Sequence, residues 1–523
     1  MIGLLARRTL TDRPRRTAFL LFGFGIAVAV MIVLLSIGEA VLLQARDKDL
    51  VGGGDLVLLP EGVDVEVMKV GGATGMFFAI QNARFYYRQV LSGPRYATML
   101  QHVPAPVWPG EEAAPPLAAV SPTVNGKVVY VRPAGRPDAP RRVLATGVIP
   151  SLERAVRGPD ATPAGAPIAW EDSHADRMWL DPPVDSLYNE MDRFHLPART
   201  LPDLDRWAEW LYFNFTDERS GTYGFLSFIA AGDIAAGRGR ALPLLQLVPP
   251  DGAPRRFQGD MPLALDDISL ERVALQFGTA TQVDFHDGAY HLALDWSSPA
   301  GPVRGALTVR PVRDLYFPPF PIHSTERFVS GYTVPAVRAT MSGWIAAGGM
   351  RLELRDAPAY HDHNWGTWRN VHWDWGTAAA GEHALFYGRV EHPELRPGRD
   401  GAGVFAMLLR ARRPGERGGV LGLFRPEGID YTWAQPPALP GDPERVPAAF
   451  AFVAAGERGA QPDSLAVKMR VQHVLATAPR PGEEPLVFLQ ARGTFDIRAR
   501  IAGVPIRFTA PGSAEVFVPS RPR

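Results

Sequence analysis

The chain has 523 residues, 46% of them hydrophobic, equal numbers of basic and acidic side chains, and no cysteine. Such a length holds roughly three domains of about 150 residues, and the zero net charge excludes a bulk nucleic-acid binder, which carries a basic excess. Without cysteine there are no disulfides, thiolate nucleophiles or thiolate metal sites.

In chain order, residues 1–17 form a basic stub, with Arg7, Arg8, Arg13, Arg15 and Arg16 against Asp12. From Ala18 to Gly38 the chain reads AFLLFGFGIAVAVMIVLLSIG, in which Ser36 is the one polar side chain. At ~1.5 Å per residue this run spans about 30 Å, the thickness of a bilayer core, and predicts a transmembrane helix over 18–43. The charges that follow, Glu39, Arg46, Asp47, Lys48 and Asp49, nearly cancel. The positive-inside rule therefore places the N-terminus in the cytoplasm and the bulk of the chain outside. A cleaved signal peptide is the competing reading, and the Arg15–Arg16 pair suits a twin-arginine signal. No second stretch is as long and apolar, so a single-pass protein of a bacterial inner membrane is expected, with its bulk periplasmic or extracellular.

Residues 44–156 read as a small α+β segment and 157–169 (RGPDATPAGAP within it) as a linker. The stretch SHADRMWLDPP, 173–183, reads as an extended segment without chemistry. Beyond it short alternating runs recur between Gly, Pro and Asp, as in EWLYFNFTD (209–217), YHLALDWSS (290–298), HALFYGRVEH (383–392) and GTFDIRARIAGVPIRF (493–508). Strands at this spacing predict a mainly β protein. Some 350 residues of them exceed one small barrel, so two tandem β-barrels are expected, over 170–372 and 373–523.

The densest cluster of chemistry is AYHDHNWGTWRNVHWDWG, 359–376. On a strand, period two puts Tyr360, Asp362 and Asn364 on one face and His361, His363 and Trp365 on the other. Three readings stand side by side. A carboxylic acid in an aromatic pocket has a raised pKa and can protonate an alkene, with aromatic faces shielding the cation; Asp362 is then the acid, with Tyr360 and the tryptophans, Trp368 among them, shaping the pocket. His361 and His363 with His372 or Asp374 could ligate a metal. Alternatively the polar groups tie down a junction and the tryptophans are core. In EWLYFNF, Trp210, Tyr212 and Asn214 share a face, as an aromatic barrel-closing strand would place them. There is no G-x-S-x-G elbow, H-E-x-x-H helix, P-loop or dinucleotide fingerprint.

Two resemblances add to this reading. LLARRTLTDRPRRTAFLLFGFGIAVAV, GGGDLVLLPEGVDVEV and VSPTVNGKVVYVRP (120–133) resemble the start of a MacB/FtsX-type ABC-transporter permease. The later membrane helices of that family and any ATPase are missing, so the head implies an anchor or a docking piece for ABC-transporter subunits. EWLYFNFTD with GTYGFLSFIA resembles the opening of the AttH-like family; YHDHNWGTW resembles its G-Y-x-D-x-N-W-G signature, and GSAEVF (512–517) its final strand. That family contains the carotenoid 1,2-hydratases (hydroxyneurosporene synthases). The resemblance, over about 170–523, implies two lipocalin-like barrels. It implies Asp362 as the proton donor to a polyene, with Tyr360 beside it, and no metal or other cofactor. His361, His363, Asn364, Trp365, Trp368, Trp210, Tyr212 and Asn214 become the candidate ligand-binding set. Tyr332, in SGYTVPAV (330–337), stands where the hydratases carry a His-x-Trp pair. Two functions are expected from these features. The first is a membrane-anchored carrier of a lipid, terpenoid or polyene beside an ABC transporter; the second is a hydratase, isomerase or cyclase acting through Asp362.

Overall fold

The structure is a computed structural model. It describes residues 80–91, parts of 121–157, and 171–521 apart from 198–203, 251–253, 324–327, 369, 394, 396–402, 414–417, 456–462, 478–484 and 502. The expected stub, transmembrane helix and most of the linker lie outside the described residues. Among the described residues no helix is long and apolar enough to cross a membrane. The chain divides into two compact units, Met1–Ala79 with Ala118–Asp172, and Ile80–Leu117 with Ser173–Arg523.

In the first unit, β1 (Thr123–Val124) pairs antiparallel with β4 (Gly147–Val148), and β2 (Val128–Val131) with β3 (Arg141–Leu144). The helix Pro150–Arg157 follows, and its buried Glu153 accepts a 2.8 Å hydrogen bond from Ser121 Oγ.

The second unit opens with helical Ile80–Phe85 and Tyr86–Leu91. Phe85 packs edge-on against Tyr316 and Phe317, and Arg84 pairs with Glu190 at 2.7 Å. Part of the segment expected in the permease-like head thus belongs to the β-rich unit. The stretch expected to be extended forms a helix, His174–Leu180. Its N-terminus is a capping box: Ser173 Oγ accepts from Asp176 N, and Asp176 accepts from Ser173 N. A second helix, Val184–Met191, buries Tyr188 and Met191.

The rest is antiparallel β. A twelve-stranded sheet comprises β5 (Ala208–Asp217), β6 (Thr222–Ala231), β7 (Gly239–Val248), β8 (Arg255–Gln258), β9 (Met261–Leu263), β10 (Ala274–Phe277), β11 (Thr281–His286), β12 (Ala289–Ser298), β13 (Gly301–Pro311), β14 (Phe317–His323), β15 (Phe328–Ala347) and β16 (Met350–Gly366). Its order is β10-β11-β12-β13-β15-β16-β5-β6-β7-β8, with β14 on β15 and β9 on β7. The sheet curls until Gly259, just past β8, lies against Trp296 of β12, although the ladder itself ends at β10 and β8. A nine-stranded sheet follows: β17 (His372–Ala380), β18 (His383–Glu391), β19 (Phe405–Arg410), β20 (Gly419–Phe424), β21 (Asp430–Ala434), β22 (Val446–Ala455), β23 (Ser464–Thr477), β24 (Leu486–Ile501) and β25 (Val504–Pro519), ordered β20-β19-β18-β17-β25-β24-β23-β22-β21. The protein is therefore mainly β, built on two large curled sheets.

Strand β16 positions the site. Up to Pro358 it alternates, with Arg351, Glu353, Arg355 and Pro358 exposed and Leu354 and Ala357 buried; from Ala359 to His363 every residue is buried. The change marks where one face of the strand leaves solvent and meets the second sheet. The β15–β16 hairpin turns on Gly348 and Gly349, both with positive φ (55° and 77°), which matches a two-residue turn of the twist-compatible kind. Its register is relieved at a bulge beside Gly343, where φ is 127° and an added Cβ would run into the backbone oxygen of Ala306. Gly343→Ala is expected to cost about 3 kcal/mol, because conformational strain adds to a clash with backbone that cannot step aside. A urea-unfolding midpoint lowered at unchanged slope is the measurement that checks it.

Candidate functional site

Register in the first sheet places Tyr360 opposite Asn214, Asp362 opposite Tyr212 and Asn364 opposite Trp210. The alternation expected of the Y-H-D-H-N-W run is the one observed. Tyr360, Asp362 and Asn364 face the second sheet. His361 and His363 point into the core of the first.

On the face between the sheets Asp362 is buried, at 6% exposure. Asn364 Nδ2 donates to its Oδ1 at 2.7 Å, and the Tyr360 hydroxyl donates to it as well. That hydroxyl accepts from Trp375 Nε1 at 2.7 Å, so Trp375, Tyr360 and Asp362 form a chain with its hydrogens directed at the carboxyl. Burial, and next the charge of Glu515, push the Asp362 carboxyl well above the usual carboxylate range; the bonds from Tyr360 and Asn364 oppose this without cancelling it. Glu515 is contributed by β25. It accepts from Trp373 Nε1 at 2.8 Å and from Gln490 Nε2 at 3.0 Å, and burial raises its pKa too. Two carboxyl groups thus share one desolvated space, an arrangement that keeps at least one of them protonated. Arg492 lies over the Tyr223 ring at 4.2 Å and bonds Thr216.

Around them, Tyr212 Oη meets Tyr223 Oη at 3.3 Å and accepts from Gln490 Nε2 at 3.4 Å, and Asn214 Nδ2 donates to Ser513 Oγ at 3.4 Å. Trp210 packs on Trp368 with centroids 4.5 Å apart. Trp368 Nε1 donates to the carbonyl of Ala208. Tyr332 meets Trp375 edge-on at 5.0 Å and stacks on Phe317. Asp362, Tyr360, Asn364, Tyr212, Asn214, Trp210, Trp368 and Tyr332 therefore come together between the sheets.

His361, His363 and Trp365 do not join them: the pleat sends them to the opposite face of β16. There Asp192, fully buried just past the helix Val184–Met191, accepts from three rings. Tyr290 Oη donates to Oδ2 at 2.8 Å, His361 Nε2 lies 2.8 Å from Oδ2, and His363 Nδ1 lies 2.9 Å from Oδ1. His361 Nδ1 donates to the carbonyl of Tyr212 at 2.9 Å, and its ring stacks on Phe213 at 4.0 Å. His363 Nε2 lies 2.8 Å from Oε1 of buried Glu209, and that oxygen also accepts from His195 N at 2.7 Å. Burial pushes the Asp192 carboxyl up, but His361 and His363 outweigh it and bring its pKa to about 2. Burial likewise pushes the His363 imidazole down, and the two carboxylates outweigh it, raising its pKa to about 9. Trp365 stacks on His195 at 4.0 Å and fills the space over Gly331.

The metal set suggested by spacing, His361 and His363 with His372 or Asp374, is not assembled. Asp374 sits in the second sheet, bonded to Arg389 Nε at 2.7 Å and to Tyr431 Oη at 2.6 Å, and His372 packs beside Phe517. The residues that sequence reasoning missed are Asp192, Glu515 and Gln490. Asp192 acts across 169 positions of chain and carries no local signal. Glu515 lies in GSAEVF, where the one acid of the final strand was the available clue.

No family profile matches the chain, and no characterised protein matches it in sequence. Among solved structures it is similar to CghA (13% identity, covering 64% of this chain and 98% of that one, TM-score 0.43). It is also similar to an AttH-type protein from Nitrosomonas europaea (13% identity, 62% and 97%, TM-score 0.39) and to kievitone hydratase from Nectria haematococca (10% identity, 63% and 94%, TM-score 0.39). At such values the likeness carries nothing about chemistry, which follows from the side chains themselves.

Proposed function

We propose that the chain is an acid catalyst for a hydrophobic alkene, with Asp362 as the proton donor. The observation that supports this is the setting of Asp362: a buried carboxyl touched by a phenol and an amide, with a second carboxyl as neighbour and, among the described residues, no Arg or Lys paired with it. Burial and the neighbouring carboxyl both favour the protonated form of such an acid. Transfer of its proton to one alkene carbon leaves a carbocation on the other, facing Tyr360, Tyr332 and Trp375. Water then adds to the cation and returns a proton to the carboxylate, which completes a hydration. Loss of a different proton to the carboxylate gives an isomer instead; attack by a second double bond closes a ring and moves the cation, which then loses a proton to the same carboxylate.

Placement of the reaction at the outer face of a membrane, beside ABC-transporter subunits, rests on the apolar run over 18–43 and the permease resemblance.

The test is native mass spectrometry with lipid extraction on the full chain, wild type beside Asp362→Asn. Wild type is expected to carry a hydrated, isomerised or cyclised terpenoid or polyene and the variant its unprotonated precursor. The same unaltered lipid in both would make the protein a carrier and Asp362 a structural residue.

A further inference from the structure

We propose a second site, on the far side of β16 from Asp362: His195, Glu209 and His363 bind one first-row divalent metal ion of the zinc class. Three elements converge there. His195 follows the helix Val184–Met191, Glu209 begins β5 and His363 lies near the end of β16. His195 Nδ1 and His363 Nε2 lie 3.0 and 2.8 Å from the same Glu209 oxygen, and one ligand atom from each residue falls within 4.8 Å of the others. A tetrahedral zinc ion with bonds of about 2.0–2.1 Å holds its ligand atoms roughly 3.3 Å apart. To admit the ion the two contacts to Glu209 open by a few tenths of an ångström, and the two ring nitrogens, within 4.8 Å of each other, close by up to about 1.5 Å.

The surroundings are those of a ligand set held in advance. A metal-binding histidine usually donates its second nitrogen to a carboxylate, which fixes ring and tautomer. Here His363 Nδ1 is 2.9 Å from Asp192 Oδ1, and Asp192 is itself held by Tyr290 and His361. The His195 ring is clamped flat on Trp365, 4.0 Å away and inclined by 16°. The backbone N–H of His195 orients Glu209. Asp192 and Glu209 are two buried carboxylates, and a divalent cation on neutral His363 would take the place of the proton that His363 otherwise holds between them. The His195 side chain is 30% exposed, which leaves a route for the ion and a fourth position for water. Two imidazoles and a carboxylate are the nitrogen and oxygen donors that zinc and its first-row neighbours take. The ion would fasten the Asp192–His195 segment to β5 and β16. The alternative is a polar lock in which a proton on His363 does the same work without metal.

The experiment is titration of the metal-stripped full chain with Co²⁺, a spectroscopic stand-in, followed by competition with Zn²⁺. One equivalent of Co²⁺ giving the visible bands of a four-coordinate nitrogen–oxygen site, displaced by Zn²⁺ with a rise in melting temperature, is expected. His195→Ala and Glu209→Gln should each weaken Zn²⁺ binding by 100-fold or more. His291→Ala, which alters a half-buried ring stacked on His286 in another part of the sheet, should leave it unchanged. Absence of stoichiometric uptake by wild type, or equal affinity in His195→Ala, overturns the site. X-ray absorption of the Zn²⁺-loaded wild type decides without any variant: fewer than two imidazoles around the ion also overturns it.

Discussion

Asp192→Asn is expected to cost about 3–5 kcal/mol of folding stability, the range for removing one charge from a buried, hydrogen-bonded ionic cluster. The carboxylate accepts from Tyr290, His361 and His363 with no water in reach, since its exposure is 0%. An amide of the same shape turns one acceptor into a donor. In either orientation its NH₂ meets a ring N–H, that of His363 or that of His361, and the substitution removes the charge that offsets the imidazoles. Tyr290→Phe deletes one neutral partner and is expected to cost nearer 1 kcal/mol. In the double variant the two losses should fall short of additivity, because Asp192→Asn has already broken the bond that Tyr290→Phe removes. Urea unfolding of the four proteins of this cycle checks the ranking. An Asp192→Asn loss below 1 kcal/mol would mean that the cluster is not the clamp its geometry describes.

The chemistry on β16 was legible because a strand has one period. Given the run Y-H-D-H-N-W, the split into an acid face and a histidine face follows from backbone geometry, and the contacts of Asp362 and His361 fall on opposite sides accordingly. The mainly β character was legible for the same reason, from short alternating runs between turn residues. What each face would meet was not. Asp192 lies in EMDRFHLP, a stretch with neither period, and its three partners come from β12 and β16. A signature groups His361, His363 and Trp365 with Asp362 by chain position, whereas the pleat puts them on the other face of the sheet. The helix His174–Leu180 was missed although Ser173 and Asp176 spell its capping box, because none of its residues is buried and it shows no apolar stripe. One further signal was available in the sequence: charged residues are frequent in β16 up to Asp356, and then no Arg or Lys appears until Arg369. The loss of solvating charge at that point coincides with the start of burial on both faces.

Asp362→Asn should lower turnover of a hydrophobic alkene by about 10²–10⁴-fold, the usual contribution of a positioned general acid, while substrate remains bound to the same aromatic wall. The pH dependence distinguishes a proton donor from a structural acid. A donor works in its protonated form, so activity should hold through the ordinary carboxylate range and decline only where pH rises through the elevated pKa of the folded state. Stability follows the same proton. Because burial, and then Glu515, raise the Asp362 pKa on folding, the native state binds more protons than the unfolded chain at any pH between the two values. Stability at this group therefore falls as pH rises through the folded pKa, and Asp362→Asn should flatten that slope. Glu515→Gln keeps the hydrogen-bonding shape and removes the neighbouring charge. It should move the alkaline limb of wild-type activity toward lower pH, as the opposing charge is what helps hold the Asp362 proton. The two carboxyls titrate as a pair, so the shift is read from the whole profile and not from one midpoint. An alkaline limb unmoved by Glu515→Gln, together with full turnover in Asp362→Asn, would assign the proton to another group and leave Asp362 as part of the contact between the sheets.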